Sequence, residues 1–312
     1  MSASLQFTET GERKHGADAH WVATAGDEKV GECSLWWQSA PQLPGETLGV
    51  IGHYSANEAC GPALLNHACE QLRLHGCTLA VGPMDGNTWR SYRLITERGS
   101  EPPFFLELDH PPALPEQFRN SGFAPLAEYT SALADDLDVT DPRMARIEHR
   151  MRERGIMLRS MRIESLDEDL RHIYAVSITS FQRNFLFTPL PESEFMEQYR
   201  PIQSCVRPEL VILAFDGVRP VGFVFAIPDY LEPQRGAPLA TVILKTLAVL
   251  PEPALAGLGN LLLWHVHEVA KSLGFKRVIH ALMHESNTSR NLSGRYAKPF
   301  RRYTLFSRKL VP

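Results

Sequence analysis

Two hydrophobic periods alternate along this chain. Residues 241–249, TVILKTLAV, run nearly unbroken in β-branched and apolar residues, which is the composition of a buried strand. Pro251 and Pro253 end that strand, because proline cannot donate to a sheet ladder. Apolar residues then return at Leu258, Leu261, Leu262, Val266, Val269 and Leu273, the spacing of one helix face, and Gly274 stands where a C-cap belongs. Gly257 and Gly259 bracket Leu258 at the start of the helix. Such a turn presents unpaired backbone N–H groups, and glycine lets an anion approach them with no Cβ in the way, so its chemistry suits a phosphate.

The same periods organise the rest. Residues 21–25 and 29–37 predict a hairpin around Gly26-Asp27, and 47–54 predicts a strand. Pro62 opens a helix whose stripe is Ala63, Leu64, Leu65, Ala68, Cys69 and Leu72, ending at Gly76 before a strand at 77–84. Further on, a strand at 156–163 precedes helices at 166–181 and near 195–199. Strands at 210–216 and 221–227 are joined by Asp216-Gly217, a hairpin signal.

This order repeats. Gly61 and Gly76 lie fifteen positions apart around one helix, and Gly259 and Gly274 lie fifteen apart around the other. Asn87-Thr88-Trp89-Arg90 follows the first unit and Asn287-Thr288-Ser289-Arg290 the second; both units then reach Tyr-Thr, at 129–130 and 303–304. A tandem duplication explains the shared order. The predicted architecture is a loosely ordered segment at 1–20, a first unit at 21–134, a linker with helical character at 135–155, and a second unit at 156–312.

Composition narrows the function. The 312 residues carry a formal charge of −4 with no sustained basic run, so neither a nucleic-acid nor a membrane-surface partner is expected. Residues 1–20 lack the apolar centre of a signal peptide and no apolar run is long enough for a membrane span, so the expected location is cytoplasmic. Five scattered cysteines without a C-x-x-C pair argue against a disulfide framework or a zinc site. The histidines do not form a metal set: His265 and His267 lie about 200° apart on a helix, and His280 and His284 about 13 Å apart along a strand. No metal is expected.

The element order over 156–310, together with Leu247, Val249, Pro251, Gly257 and Gly259 at matching spacing, resembles the GNAT acetyltransferase superfamily. The fold class implied is α/β with a mixed sheet, as two tandem GNAT-like acyl-CoA N-acyltransferase units. Ala254 stands where that family usually has Arg or Gln. In the first unit SANEACGP replaces the Gly-x-Gly turn, and Pro62 removes an amide, so cofactor binding is expected in the second unit alone.

The resemblance implies acetyl-CoA as co-substrate. It would be held by Leu247, Ala248, Val249, Ala254, Gly257, Leu258, Gly259, Asn260 and Asn287, its pyrophosphate at the positive end of the helix dipole. The N–H of Leu247 would serve as oxyanion donor and Tyr296 as general acid, although Ser293 occupies the usual tyrosine place. Lys245, His280, His284 and Glu285 sit where an α/β sheet opens to its ligands, as candidates to hold a proton or meet the acceptor. Arg183, Asn184, Phe185 and Phe187, with His284 and Glu285, are the expected acceptor contacts. The implied reaction is acetyl transfer to a primary amine of a small molecule or protein in a ternary complex. The alternatives are a non-catalytic acyl-CoA-binding module and, more remotely, a tRNA-dependent aminoacyl transferase.

Overall fold

The computed structural model describes residues 4–138, 141–286 and 293–310. Asn287 and the rest of its tetrapeptide lie outside the described residues. The first half contains β1 (Leu5–Thr10), β2 (Ala19–Ala25), β3 (Glu28–Trp36), β4 (Leu48–Ala56), α1 (Gly61–Leu74), β5 (Leu79–Gly82), β6 (Leu94–Glu97), α2 (Leu114–Asn120) and β7 (Ala124–Ala134). Helix α3 (Arg143–Glu153) connects the halves. The second half contains β8 (Ile156–Ser160), α4 (Leu166–Ser180), α5 (Glu192–Tyr199), β9 (Val211–Asp216), β10 (Arg219–Pro228), α6 (Leu231–Gln234), β11 (Thr241–Val249), α7 (Leu258–Ser272), β12 (Arg277–His284) and β13 (Lys298–Lys309).

All thirteen strands form one mixed sheet in the order β1-β2-β3-β4-β5-β13-β7-β12-β11-β10-β9-β8, with β6 also on β13. The amino-terminal residues expected to be loosely ordered instead supply the edge strand: Leu5 to Thr10 pair with Ala25 to His20. A second correction concerns the unit boundaries. The last strands are exchanged: β13 lies beside β5 of the first half, while β7 lies beside β12 of the second. The cores follow the strands. Phe306 of β13 packs with Leu64, Leu65 and Leu72 of α1, and Ala132 and Ala134 of β7 pack with Leu258, Leu262 and Val266 of α7.

Side-chain alternation explains the layers of the second half. Ile212 and Ala214 face α7, while Val211, Leu213 and Phe215 face α4 and α5. Strands β9 and β10 are thus apolar on both faces.

A buried ion pair fastens the exchanged strand. Arg301 on β13, 3% exposed, donates to Glu107 and to the carbonyls of Arg98 and Glu101. Tyr303 also donates to Glu107, Ser131 on β7 meets the Tyr303 hydroxyl at 3.0 Å, and the Ser131 hydroxyl accepts from Leu282 N on β12 at 3.2 Å. Removing one partner leaves an uncompensated buried charge. Arg301→Leu is expected to destabilise the fold by about 3–5 kcal/mol, read as a lowered urea midpoint; the double variant with Glu107→Met should lose less.

Candidate active site

Strands β11 and β12 pair in parallel only from Thr241↔Arg277 to Leu244↔His280. Two irregularities then part them. Lys245 is an extra residue in β11, at the register shift opposite Phe225 and Ala226, and β12 bends between His280 and Met283, where Leu282 has φ +63°. Beyond that point β12 keeps only its pairing with β7, and the edge of β11 from Lys245 to Val249 is left open. Leu250 N donates to Val221 O of β10, so the two-residue alternation turns the N–H groups of Leu247 and Val249 toward the open edge. The expected oxyanion donor therefore faces the gap.

Helix α7 starts at Gly257, which has φ +96°. No side chain caps this end and no acidic residue lies in its first turn, so the amides from Leu258 to Asn260 are open to an anion. Ala254 lies in the short 3₁₀ turn Pro253–Leu255 before it. Two arginines that sequence reasoning missed flank the turn. Arg150 of α3 donates to Ala256 O, and a Cβ on Gly257 would come within 2.8 Å of its guanidinium. Arg295 donates to Asn260 Oδ1 at 3.1 Å. These guanidiniums put positive charge beside the start of α7.

In the first half the corresponding features are closed. Strands β4 and β5 pair from Leu48↔Leu79 to Val50↔Val81, but Met84 N then donates to Ile51 O at 2.8 Å and His53 N donates to Asp85 Oδ1 at 2.6 Å. At the start of α1, Asn57 Oδ1 accepts from Cys60 N at 2.8 Å, and the Gln117 amide crosses beside Gly61 to accept from Tyr54 at 2.8 Å. The chain's own groups fill both corresponding positions in the first half.

A cavity of about 1300 Å³ opens at the β11–β12 gap and reaches under α4 and α5. Asn184, Phe185, Phe187 and His284 line it, with Leu247; Arg183 and Glu285 do not, because both are exposed on the outer side of their turns. The first half supplies a wall as well, from Asp85, Trp89, Arg90, Tyr92, Arg93 and Tyr129. Trp89 donates to Thr188 O at 2.7 Å and packs against Phe181, Phe187 and Phe195, while Arg90 pairs with Glu194. The polar cluster GPMDGNTWRSYRL thus closes one side of the chamber.

Tyr296 is not at the cavity. Its hydroxyl donates to Asp141 Oδ2 at 3.3 Å, and Arg143 holds that carboxyl well below the usual carboxylate range. Burial, with Asp141, pushes the Tyr296 phenol up and makes it a poorer acid. Its hydroxyl thus faces the carboxylate of the inter-unit segment.

Three polar side chains remain beside the open strand. Lys245, with Nζ 3.0 Å from Leu106 O, has its ammonium pushed down to about 8 by burial and then by Arg93. Arg93 lies over the rings of Tyr92 and Tyr129 at 4.0 and 4.4 Å, and its Nε has no hydrogen-bond partner among the described residues. His284 Nδ1 accepts from Ser286 N at 3.1 Å, which places the proton of the neutral ring on Nε2; that buried nitrogen also has no partner among the described residues. Burial holds this ring below the usual histidine range.

His280 is a buried wall residue, and the structure joins it to a histidine that the sequence did not pair with it. His267 Nε2 of α7 meets His280 Nε2 at 2.8 Å, and His280 Nδ1 meets Ser293 Oγ at 2.7 Å. Burial pushes His267 down to about 4 and His280 also downward.

The comparisons agree with this geometry. A mixed sheet with a parted strand pair and a glycine-rich helix start defines a GNAT-type fold. Residues 170–292 match the family model described as Acetyltransferase (GNAT) family. A GCN5-related N-acetyltransferase from Sphaerobacter thermophilus aligns with a TM-score of 0.52 at 15% identity, over 94% of this chain and 81% of that one. A tandem GNAT protein from the clavulanic acid biosynthesis pathway aligns with a TM-score of 0.51 at 14% identity, over 100% of this chain and 85% of that one. A bacterial ceramide synthase from Caulobacter vibrioides is 23% identical over 219 residues, 68% of this chain. The match spans 56% of that relative's length. No helix among the described residues is long and apolar enough to cross a membrane.

The histidine pair gives a pH signature. An unfolded histidine takes its proton near 6.5, whereas His267 in the fold resists until about 4. Stability present above about pH 6.5 is therefore lost as pH falls toward 4, on the order of 3 kcal/mol for a shift of this size. Urea midpoints measured at pH 7, 6 and 5 should fall less steeply in His267→Gln than in the unaltered protein.

Proposed function

We propose that this protein is an N-acetyltransferase that moves the acetyl group of acetyl-CoA to a primary amine by direct attack. The single observation that carries this reading is the open edge of β11, with Leu247 N–H facing the gap, beside an uncapped glycine-rich helix start. The pyrophosphate lies on the amides of Leu258 to Asn260, with Arg150 and Arg295 balancing its charge. The pantetheine arm runs along Leu247 to Val249, and Leu247 N–H stabilises the oxyanion.

The amine enters from the α4–α5 side. Positive charge at Arg93 favours its neutral, nucleophilic form. The nitrogen attacks the thioester carbon, Lys245 takes the nitrogen's proton, and the collapsing intermediate expels the thiolate, which receives that proton as free thiol. Positioning two bound reactants in one chamber contributes much of the acceleration. Tyr296 has no part in these steps.

The second reading is an acyl-CoA-binding module without turnover, favoured by Ala254 at the pyrophosphate turn and by the distance of Tyr296 from the cavity. Thiol release in the presence of primary amines separates the two readings.

Calorimetric titration of acetyl-CoA tests the cofactor site. Gly259→Asp places a carboxylate at the helix start and should weaken binding at least tenfold, about 1.4 kcal/mol; absence of binding to the unaltered protein at high micromolar concentration would sink the reading.

A second measurement concerns the base. Lys245 must be neutral to accept a proton, so activity is low below pH 8 and rises through about 8. The acceptor's own ionisation near 10 forms a separate limb. Lys245→Met should lower turnover about 10²-fold or more and remove the limb near 8; a profile unchanged by the substitution would exclude this role.

A further inference from the structure

The chamber is far larger than an acetyl group and a small amine require. Ligand pockets are commonly about 300–1,000 Å³, and this one is about 1300 Å³. Its inner wall is built from Met161, Leu170, Ile173, Phe195, Phe223 and Phe225, none more than 8% exposed. A cavity walled by such residues reaches into the core between the sheet and helices α4 and α5. Its polar groups Lys245, Arg93 and His284 stand beside the parted strands, and Ile202 and Val206 continue the apolar lining.

Water standing against these apolar side chains is released when hydrocarbon covers them, which is favourable in proportion to the apolar area buried. A hydrocarbon chain anchored at the polar end would provide that cover. We propose that the acceptor is a primary amine on a long aliphatic chain, with the amine at Lys245 and the chain beneath α4 and α5. This inference rests on the acetyltransferase reading for the chemistry at the amine. The chain belongs to the acceptor because the glycine turn lies on the α7 face of the sheet, whereas the apolar wall lies on the opposite face. A donor anchored at the turn brings its thioester to the open strand edge, and the nucleophile approaches it from the chamber.

Binding alone tests the proposal. Butylamine, octylamine and dodecylamine are titrated calorimetrically into the free protein below their micellar concentrations. Each buried methylene is expected to tighten binding about 3- to 4-fold until the chamber is full. Ile173→Trp fills the chamber and should abolish the gain between octylamine and dodecylamine while leaving the acetyl-CoA dissociation constant unchanged; the series on the unaltered protein stands even if that variant fails to fold. Equal affinity for butylamine and dodecylamine would overturn the proposal. So would a flat amine series combined with palmitoyl-CoA binding far tighter than acetyl-CoA, because the chamber would then belong to the donor. A rising amine series with no acetyl-CoA binding would support the chamber and overturn the transferase reading, and acetyl-CoA binding with a flat series would do the reverse.

Discussion

The pairing of β13 with β7 holds this molecule together. These two strands run alongside each other from Lys298↔Leu133 to Ser307↔Ala124 at the centre of the sheet. Each completes the core of the other half: Phe306 contributes to the first and Ala134 to the second. Neither half is complete in its own segment of sequence. The buried Arg301–Glu107 pair, with Tyr303 and Ser131, locks this crossing by satisfying charges and hydroxyls that have no water to turn to.

The site opens beside that crossing. Strand β12 leaves β11 after His280 but stays on β7, where Met283 and His284 pair with Thr130 and Tyr129. The edge at Leu247 opens at the irregularities in β11 and β12, where β12 keeps its β7 neighbour and gives up β11. Arg93, which lies over Tyr129, stands in the wall beside Lys245. In the first half the equivalent edge of β4 is covered by Met84 and Asp85.

Much of this was legible beforehand. Strand and helix positions followed from apolar period, because elements buried on one or both faces must show it. Gly257, Gly259 and the proline-terminated strand before them marked the uncapped helix start, and the repeat from Gly61 to Gly76 marked the duplication. The strand exchange was not legible, since β13 has the same alternating pattern whichever neighbour it pairs with. Arg150 was hidden for a related reason: it lies in the inter-unit segment and reaches the turn only through the packing of α3 on α7. His267 and His280 belong to elements of different period, and only the register of α7 against β12 brings their rings together. Tyr296 was misplaced because sequence distance along a helix does not show which carboxylate its hydroxyl meets.

The two halves use one device for different ends. Each has an irregularity just beyond its last parallel pair, Lys245 in β11 and His53, with φ +43°, in β4. In the second half the break in the ladder frees backbone for a ligand. In the first, Asp85 takes up the freed N–H of His53 and turns the segment from Trp89 to Arg93 outward against Phe181, Phe187 and Glu194. The closed edge of the first half thereby becomes wall: Trp89, Arg90 and Arg93 line the chamber that opens beside the parted strands of the second half.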